Sequence, residues 1–406
     1  MPSLISWLDY SDAQRRRMLD VIDLFREPGT RDELGVAAIR DAFAELLFPG
    51  TSTIMTRARY YLIVPWIYQR LEQKGVSSAD VERRARRLAL ELVTAIGRSS
   101  DKEGNIGGRA GEQLKRLPSS VYWNGLSVWG IRWFRGSQDA YHRALDGWHV
   151  AMKRQAARKD ERDCEHDDPV LPNWNPSVPR PPGSFPAECT LELEREEAQF
   201  LVEQILVHCP GTLLAHLAEN DLGNGGAEFA WFHPAVTSFS SAVREQLAHA
   251  RNFSELMHGA AILYNLILAE QTAGKVAQED LRESFDGWRS NLRSRSAAFG
   301  SWGRDQFWQM ACGTFVRVTP RTQEFVNGWW DLSLKNGSPP SADSAKARDL
   351  VGVREFQVKG TNARINNPRM LQTWRGASGL GQIEFRWTIS ASILDELQTA
   401  RMDQPC

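Results

Sequence analysis

The chain has 406 residues, of which 42% are hydrophobic and 24% charged, and its formal net charge is −1. These fractions are those of an ordinary globular protein, and the length is enough for two or three domains. No stretch is apolar enough to span a membrane, and the first residues lack the basic-then-apolar order of a signal peptide, so we expect a cytoplasmic protein without a membrane partner.

Cysteines and charge are distributed unevenly along the chain. The five cysteines, at positions 164, 189, 209, 312 and 406, include no CxxC pair, which argues for a reducing compartment and against a disulfide or zinc framework. Residues 1–160 carry 26 Lys and Arg against 19 Asp and Glu, a net +7, whereas the remainder carries 23 against 31, a net −8. A basic first part favours a polyanion as partner. Solvated helix faces of different sign would give the same balance.

Residues 1–155 have the periodicity of amphipathic helices. Helices are predicted in SDAQRRRMLDVIDLFRE and GVAAIRDAFAELLF, the second ending before Pro49-Gly50. Residues 60–67 are apolar nearly all round and should be buried, with a kink at Pro65. A further helix is expected in SSADVERRARRLALELVTAIG, capped by Ser77 or Ser78, with its arginines spread outward.

Residues 104–134, GNIGGRAGEQLKRLPSSVYWNGLSVWGIRWF, combine glycines, cations and aromatic side chains. Backbone amides at such a glycine-rich turn can hold a phosphate, and Arg109 would add charge, although neither a P-loop nor a GxGxxG motif is present. A turn is expected at Pro118, followed by a second helix on which Trp129 and Trp133, four residues apart, share a face.

Two interpretations of this segment stay open. In the first, it binds DNA or RNA: phosphates are contacted by Arg57, Arg59, Arg109, Lys115, Arg116 and Arg132, and Trp129 or Trp133 stacks on bases. In the second, the tryptophans form the core of a helical domain. A second basic cluster near the C-terminus, which includes Arg364 and Arg369, is either a phosphate or carboxylate clamp or a solvated loop.

The fold is predicted to be mainly α, with two helical domains joined by a Pro-rich linker and a small β element near the C-terminus. We expect a basic helical domain over residues 1–155, a linker or extended strap over 156–187, a helical domain over 188–340 and a basic segment over 341–406. The β element would lie in IEFRWTIS.

Catalytic signatures are weak. Residues 164–168, CEHDD, carry metal-capable side chains, but they are consecutive instead of spaced to converge, so neither a metal nor a cofactor is expected. Glu384 and Arg386 offer part of a nuclease pattern without a convincing second strand. The sequence therefore leans away from an enzyme.

Several strings together resemble a known bacterial family. RARYYLIVPW, LPSSVYWNGLSVWGIR and KGTNARINNPRMLQTWRGASG are similar to a domain of unknown function, number 6361, and the likeness spans nearly the whole chain. The resemblance implies a bacterial cytosolic protein and an association with helicases and nucleases of anti-phage defence loci. It assigns no residue a role.

The leading hypothesis is a non-catalytic nucleic-acid-binding or scaffolding component of a defence or DNA-processing system, with a helicase or nuclease as partner. The alternative is an adaptor that docks a partner enzyme through its aromatic patch. A metal-dependent nuclease that uses Glu384 is the third hypothesis.

Overall fold

The computed structural model describes residues 32–108, 110–111, 114–159, 169–272, 275–314, 316–334 and 338–402. These residues form fifteen α-helices and no strand, which confirms the mainly-α prediction. In chain order the helices are α1 (Ala37–Leu47), α2 (Tyr60–Gln73), α3 (Val81–Arg98), α4 (Pro118–Val128), α5 (Gln138–Lys159), α6 (Arg195–His208), α7 (Leu213–Glu219), α8 (Ser241–Glu270), α9 (Lys275–Ser294), α10 (Ser296–Gly300), α11 (Arg304–Cys312), α12 (Pro320–Leu334), α13 (Ala345–Lys359), α14 (Pro368–Leu371) and α15 (Trp387–Met402). The helix predicted at residues 11–27 lies outside the described residues.

The chain divides into two compact units, each built from two separate stretches of sequence. The first unit comprises residues up to Phe43 together with Ala248–Ile383, and the second comprises Ala44–Leu247 together with the residues from Glu384 onward. These divisions fall at positions other than the composition changes near residues 155, 187 and 340. The domain boundaries expected from composition stay a prediction.

In the second unit, α2 packs against α3 and α4. Ten of its fourteen residues are buried, as its nearly uninterrupted apolar sequence predicts, and Pro65 lies inside the helix. α15, from the end of the chain, packs on α6 and α7. Residues far apart in sequence therefore share one core.

The Pro-rich stretch is a strap on the second unit over its described residues, 169–187. It has no regular helix, and it buries Trp174, Val178 and Phe185. Trp66 of α2 donates a hydrogen bond to the Pro179 carbonyl at 2.7 Å. Because proline lacks an N–H, such a segment is held by side chains and by its own carbonyls instead of by helical hydrogen bonds.

The first unit has an aromatic core. Trp302 stacks on Trp330 with ring centroids 3.7 Å apart, and Phe307 packs against both. Trp329 is fully buried and donates to the Leu256 carbonyl of α8 at 2.9 Å. These tryptophans belong to the core of this unit.

Three local predictions were wrong. IEFRWTIS is not a strand: Phe385 and Arg386 have φ of 53° and 68°, and α15 begins at Trp387. Pro118 does not form a turn between helices but is the first residue of α4, where its fixed φ suits the helix and its missing N–H costs nothing. Neither serine caps α3, because Ser78 bonds to α5 instead, through the Arg143 carbonyl.

Candidate nucleic-acid interface

Arg57 lies in an ion-pair network. Its guanidinium bonds to Asp101 at 2.6 and 2.7 Å and to Glu396 at 2.9 Å. Burial is the largest single effect and lowers the pKa of Arg57, but the two carboxylates together raise that pKa above its ordinary value. Because it already donates to two carboxylates, this guanidinium has few N–H donors left for a phosphate.

Arg59 is more deeply buried, with 3% of its surface exposed. One nitrogen bonds to Glu197 at 2.7 Å and another to the Thr190 hydroxyl at 2.8 Å. Its guanidinium also lies 5.7 Å from the centre of the Trp66 ring. Arg59 therefore joins α2 to the start of α6.

Arg132 binds backbone carbonyls. It donates to the carbonyls of Trp123, Phe134 and Gly136 and lies 4.5 Å from the centre of the Trp123 ring. Burial lowers the pKa of Arg132 to about 10. These three hydrogen bonds hold the loop after α4 against the helix.

Trp129 and Trp133 do not share a helix face, because α4 ends at Val128. Trp129 has no exposed surface, stacks on Tyr61 at 3.8 Å and donates to the Pro49 carbonyl. Trp133 lies beyond the helix and is 41% exposed. Of these two tryptophans, only Trp133 presents ring surface on which a base could stack.

The two C-terminal candidates, Arg364 and Arg369, differ in how deeply they are buried. Arg364 is buried in the first unit, where it bonds to Glu33 at 2.9 Å and to the hydroxyls of Tyr264 and Ser378. Glu33 also pairs with Lys359. Arg369, in the short helix α14, is exposed.

The three remaining candidates lie in the glycine-rich segment. Lys115 is exposed and Arg116 is half-buried, whereas Arg109 lies outside the described residues. The segment is attached to α3 at two points: Asn105 donates to the Val93 carbonyl, and Arg86 donates to the Leu114 carbonyl, both at 2.9 Å. Gly104, with φ of 78°, allows the turn between them to begin, since other residues rarely adopt this conformation.

Cations that remain exposed in this region lie mainly on α3. Its apolar positions face inward, at Val81, Ala85, Ala89, Leu92, Val93 and Ile96. The exposed positions are Glu82, Arg83, Arg84, Arg87, Glu91, Thr94, Gly97 and Arg98. We define the α3 basic face as Arg83, Arg84, Arg87 and Arg98 of this helix together with Lys115.

The ion pairs on the α3 basic face are open to solvent. Arg83 pairs with Asp80 at 2.6 Å and Arg87 with Glu91 at 3.1 Å, and the two arginine side chains are 76% and 82% exposed. Exposed pairs of this kind contribute about 0–1 kcal/mol, so a phosphate can replace the carboxylate at small cost. The repeated arginines of VERRARRLALEL are the signal in the sequence that indicates this face.

The two residues considered for a nuclease site, Glu384 and Arg386, are bonded to other residues of the protein. Glu384 accepts hydrogen bonds from the backbone N–H and the hydroxyl of Thr388, at the start of α15. Arg386 pairs with Glu45 at 2.5 Å. Within the described part of the chain, no three His, Cys, Asp or Glu side chains converge as metal ligands would. The CEHDD stretch lies outside that part.

Comparison with known proteins places the chain in a family. A family of unknown function, DUF6361, matches residues 2–401, so the chain belongs to it. No curated protein and no solved structure matches the chain. None of the helices in the described residues combines the length and the apolar character that a membrane span requires.

Proposed function

We propose that this member of the DUF6361 family is a non-catalytic component that binds DNA or RNA through the α3 basic face. The observation that carries the proposal is the composition of that face, where four of the eight exposed positions of α3 are arginines. α3 has 18 residues, which corresponds to a length of about 27 Å at about 1.5 Å per residue. A surface of that length matches several phosphates of one strand.

The proposed contact is to the backbone of the nucleic acid and is independent of base sequence. Arginine suits it because the guanidinium forms two parallel hydrogen bonds to a phosphate. The exposed polar residues of α3 other than these arginines are two glutamates and a threonine, a poor set for reading bases in a groove. Affinity should therefore vary little with sequence and strongly with salt.

The experiment compares three forms of the full chain by fluorescence anisotropy of labelled single- and double-stranded DNA and RNA. The face variant carries Arg84→Gln, Arg87→Gln and Arg98→Gln. The control variant carries Arg317→Gln, Arg321→Gln and Lys346→Gln, three exposed cations of the first unit, and so has the same net charge. The comparison is made at low salt, where backbone contacts are strongest.

We expect the wild type and the control variant to bind with similar affinity and the face variant to bind at least about tenfold more weakly, a loss of about 1.4 kcal/mol. Absence of binding by the wild type at low salt would overturn the proposal. Equal weakening by the two variants would assign binding to net charge instead of to the α3 basic face.

A second candidate function, an adaptor for a partner enzyme, is favoured by a different surface. On α13, Val353 and Phe356 are three residues apart and are 47% and 55% exposed. Exposed apolar side chains at helical spacing are typical of protein-binding surfaces. If Val353→Ser with Phe356→Ser abolished co-purification of a partner while nucleic-acid binding was absent, the adaptor function would replace the first proposal.

The wider setting implied by the family resemblance is a bacterial defence or DNA-processing system with a helicase or nuclease partner. It stays a prediction. Co-purification from cells that carry the neighbouring genes would test it.

A further inference from the structure

A cleft of about 740 Å³ lies in the second unit, apart from the residues of the α3 basic face. Three elements line it: the end of α2, the middle of α5 and the Pro-rich strap. Small-molecule sites in proteins typically have about 300–1,000 Å³. The volume is therefore that of a site for a small organic molecule.

Glu72 of α2 lines the cleft and is held by three donors. The Tyr141 hydroxyl, the Asn173 amide and the Trp174 indole donate to its Oε1 at 2.6, 2.9 and 3.2 Å. No described residue donates to its Oε2. Burial raises the pKa of Glu72, an effect that the three hydrogen bonds and His149 reduce.

His149 of α5 lines the same cleft and contributes an unsatisfied group. Its Nε2 is buried and has no hydrogen-bond partner among the described residues. Burial of a polar atom without a partner is unfavourable, and a ligand that bonds to the atom would relieve that cost. Glu72 and His149, which both line this cleft, therefore each have a polar atom without a hydrogen-bond partner among the described residues.

The remaining lining residues divide into three kinds. Trp148 and Val178 offer apolar surface against which a planar ring packs. Gln69 and Gln73 carry amides, which both donate and accept hydrogen bonds. Lys153 and Arg180 are exposed cations, and Glu72 is the only acid among the lining residues.

We propose that this cleft binds a nucleoside 5′-monophosphate. The base packs against Trp148, an amino group of the base donates to Glu72 Oε2, and Lys153 and Arg180 bind the phosphate. The amides of Gln69 and Gln73 match the mixed donors and acceptors on the edge of a base. Two sources supply this chemistry, a free nucleotide and the 5′-phosphorylated end of a strand.

This site is independent of the α3 basic face, and the two proposals can fail separately. The face variant of Arg84, Arg87 and Arg98 should leave the affinity for a mononucleotide unchanged. Variants of the cleft should leave binding to the interior of a long duplex unchanged.

The test is isothermal titration calorimetry of the full chain with adenosine, guanosine, cytidine and uridine 5′-monophosphates, each titrated separately. We expect at least one to bind in the micromolar range. Lys153→Gln with Arg180→Gln should weaken that binding by at least about tenfold, which corresponds to 1.4 kcal/mol. Arg143→Gln with Arg154→Gln, which removes two exposed cations of α5 that do not line the cleft, is the matched control and should leave it unchanged.

A second variant, His149→Leu, tests the interior of the cleft without altering the phosphate contacts. It should also weaken binding. Titration with 5′-phosphorylated and 5′-hydroxyl dinucleotides identifies the source, because tighter binding of the phosphorylated dinucleotide than of the mononucleotide indicates a strand end. The proposal is overturned if none of the mononucleotides or dinucleotides binds at millimolar concentration, or if binding is equal in the cleft variants and the control.

Discussion

Arg59 shows how a buried arginine of this chain serves the fold. It lies between Glu197 and Thr190, with 3% of its surface exposed. Its strongest partner is 138 residues away in sequence, so spacing along the chain gives no sign of the pair. Arg57, Arg132 and Arg364 have likewise distant or backbone partners, which is why the sequence identified them as cations but did not predict their burial.

Replacing Arg59 should destabilise the second unit. Arg59→Met leaves Glu197 buried without its cation, and the loss of one partner of such a pair costs about 3–5 kcal/mol. Urea unfolding should show this loss, whereas Arg83→Met on the exposed side of α3 should change stability by less than about 0.5 kcal/mol. Adding Glu197→Leu to Arg59→Met should recover part of the loss; equal stability of Arg59→Met and Arg83→Met would contradict this account.

Glu396 should make the stability of the second unit depend on pH. Burial is the largest effect and raises the pKa of Glu396 to about 7, above its ordinary 4.5, against the opposing effect of Arg57. Between these two values the folded chain holds a proton that the unfolded chain has lost. The contribution to stability is therefore fully present below about pH 4.5 and is lost as pH rises through about 7, by up to about 3 kcal/mol.

Glu396→Gln isolates this contribution, because glutamine does not titrate. The melting temperature of the wild type minus that of the variant should fall as pH rises from 4.5 to 7. A difference that stays constant or rises over this range would contradict the raised pKa.

At the scale of elements, α2 and α4 approach each other closely at Gly125. A Cβ at this position would lie 2.3 Å from the Gly50 carbonyl oxygen and 2.8 Å from the Tyr61 hydroxyl. The Tyr61 hydroxyl itself bonds to the Gly50 carbonyl at 2.7 Å. The sequence predicts a helix here, but only the packing explains why position 125 is a glycine: there is no room for a side chain.

Replacing glycine with alanine should therefore change the stability of the protein in opposite directions in two helices. In an open helical position alanine stabilises by about 0.5–1 kcal/mol relative to glycine, as expected for Gly147→Ala in α5, where nothing lies within 4 Å. Gly125→Ala should instead destabilise by about 1–3 kcal/mol, because the surrounding backbone must shift. Melting temperatures of the two variants provide the measurement, and stabilisation by Gly125→Ala would disprove the close packing.

Helices with strong periodicity were predictable, and irregular segments were not. The burial of α2 and the end of α1 before Pro49 follow from local sequence alone. The strand expected in IEFRWTIS failed because tertiary contacts decide that segment: Trp387 donates to the Ala227 carbonyl and Arg386 pairs with Glu45. The sequence predicts that the α3 basic face is exposed. It does not predict the cleft proposed to bind a nucleotide, because two of the residues that line the cleft, Glu72 and His149, are 77 positions apart in sequence.

In the whole molecule, each compact unit contains two stretches of chain that are far apart in sequence. α15 packs on α6 and α7, and its Glu396 holds Arg57 and the Ala58 N–H. Composition marks changes along the chain, but it carries no information on which segments return to the same core. The Pro-rich stretch is an example, since its described residues belong to the second unit together with residues on both sides of it.

Removing the last helix should therefore destabilise the second unit as a whole. A chain that ends at Ile383 loses α15, and we expect a melting transition lower by at least about 10 °C, since several kcal/mol of packing are lost. A chain that ends at Met402 is the control and should melt like the wild type. An unchanged melting curve for the shorter chain, followed by circular dichroism, would contradict the division into these units.

In the proposed function, the α3 basic face, and not the buried arginines, binds nucleic acid. The most direct measurement is the dependence of the duplex DNA association constant on salt concentration, compared between the wild type and the variant Arg84→Gln, Arg87→Gln, Arg98→Gln. Each lost phosphate contact lowers the slope of log K against log salt by about 0.9, so the variant should have a slope shallower by about 2–3. Identical slopes for the two proteins, or a flat slope for the wild type, would contradict the account.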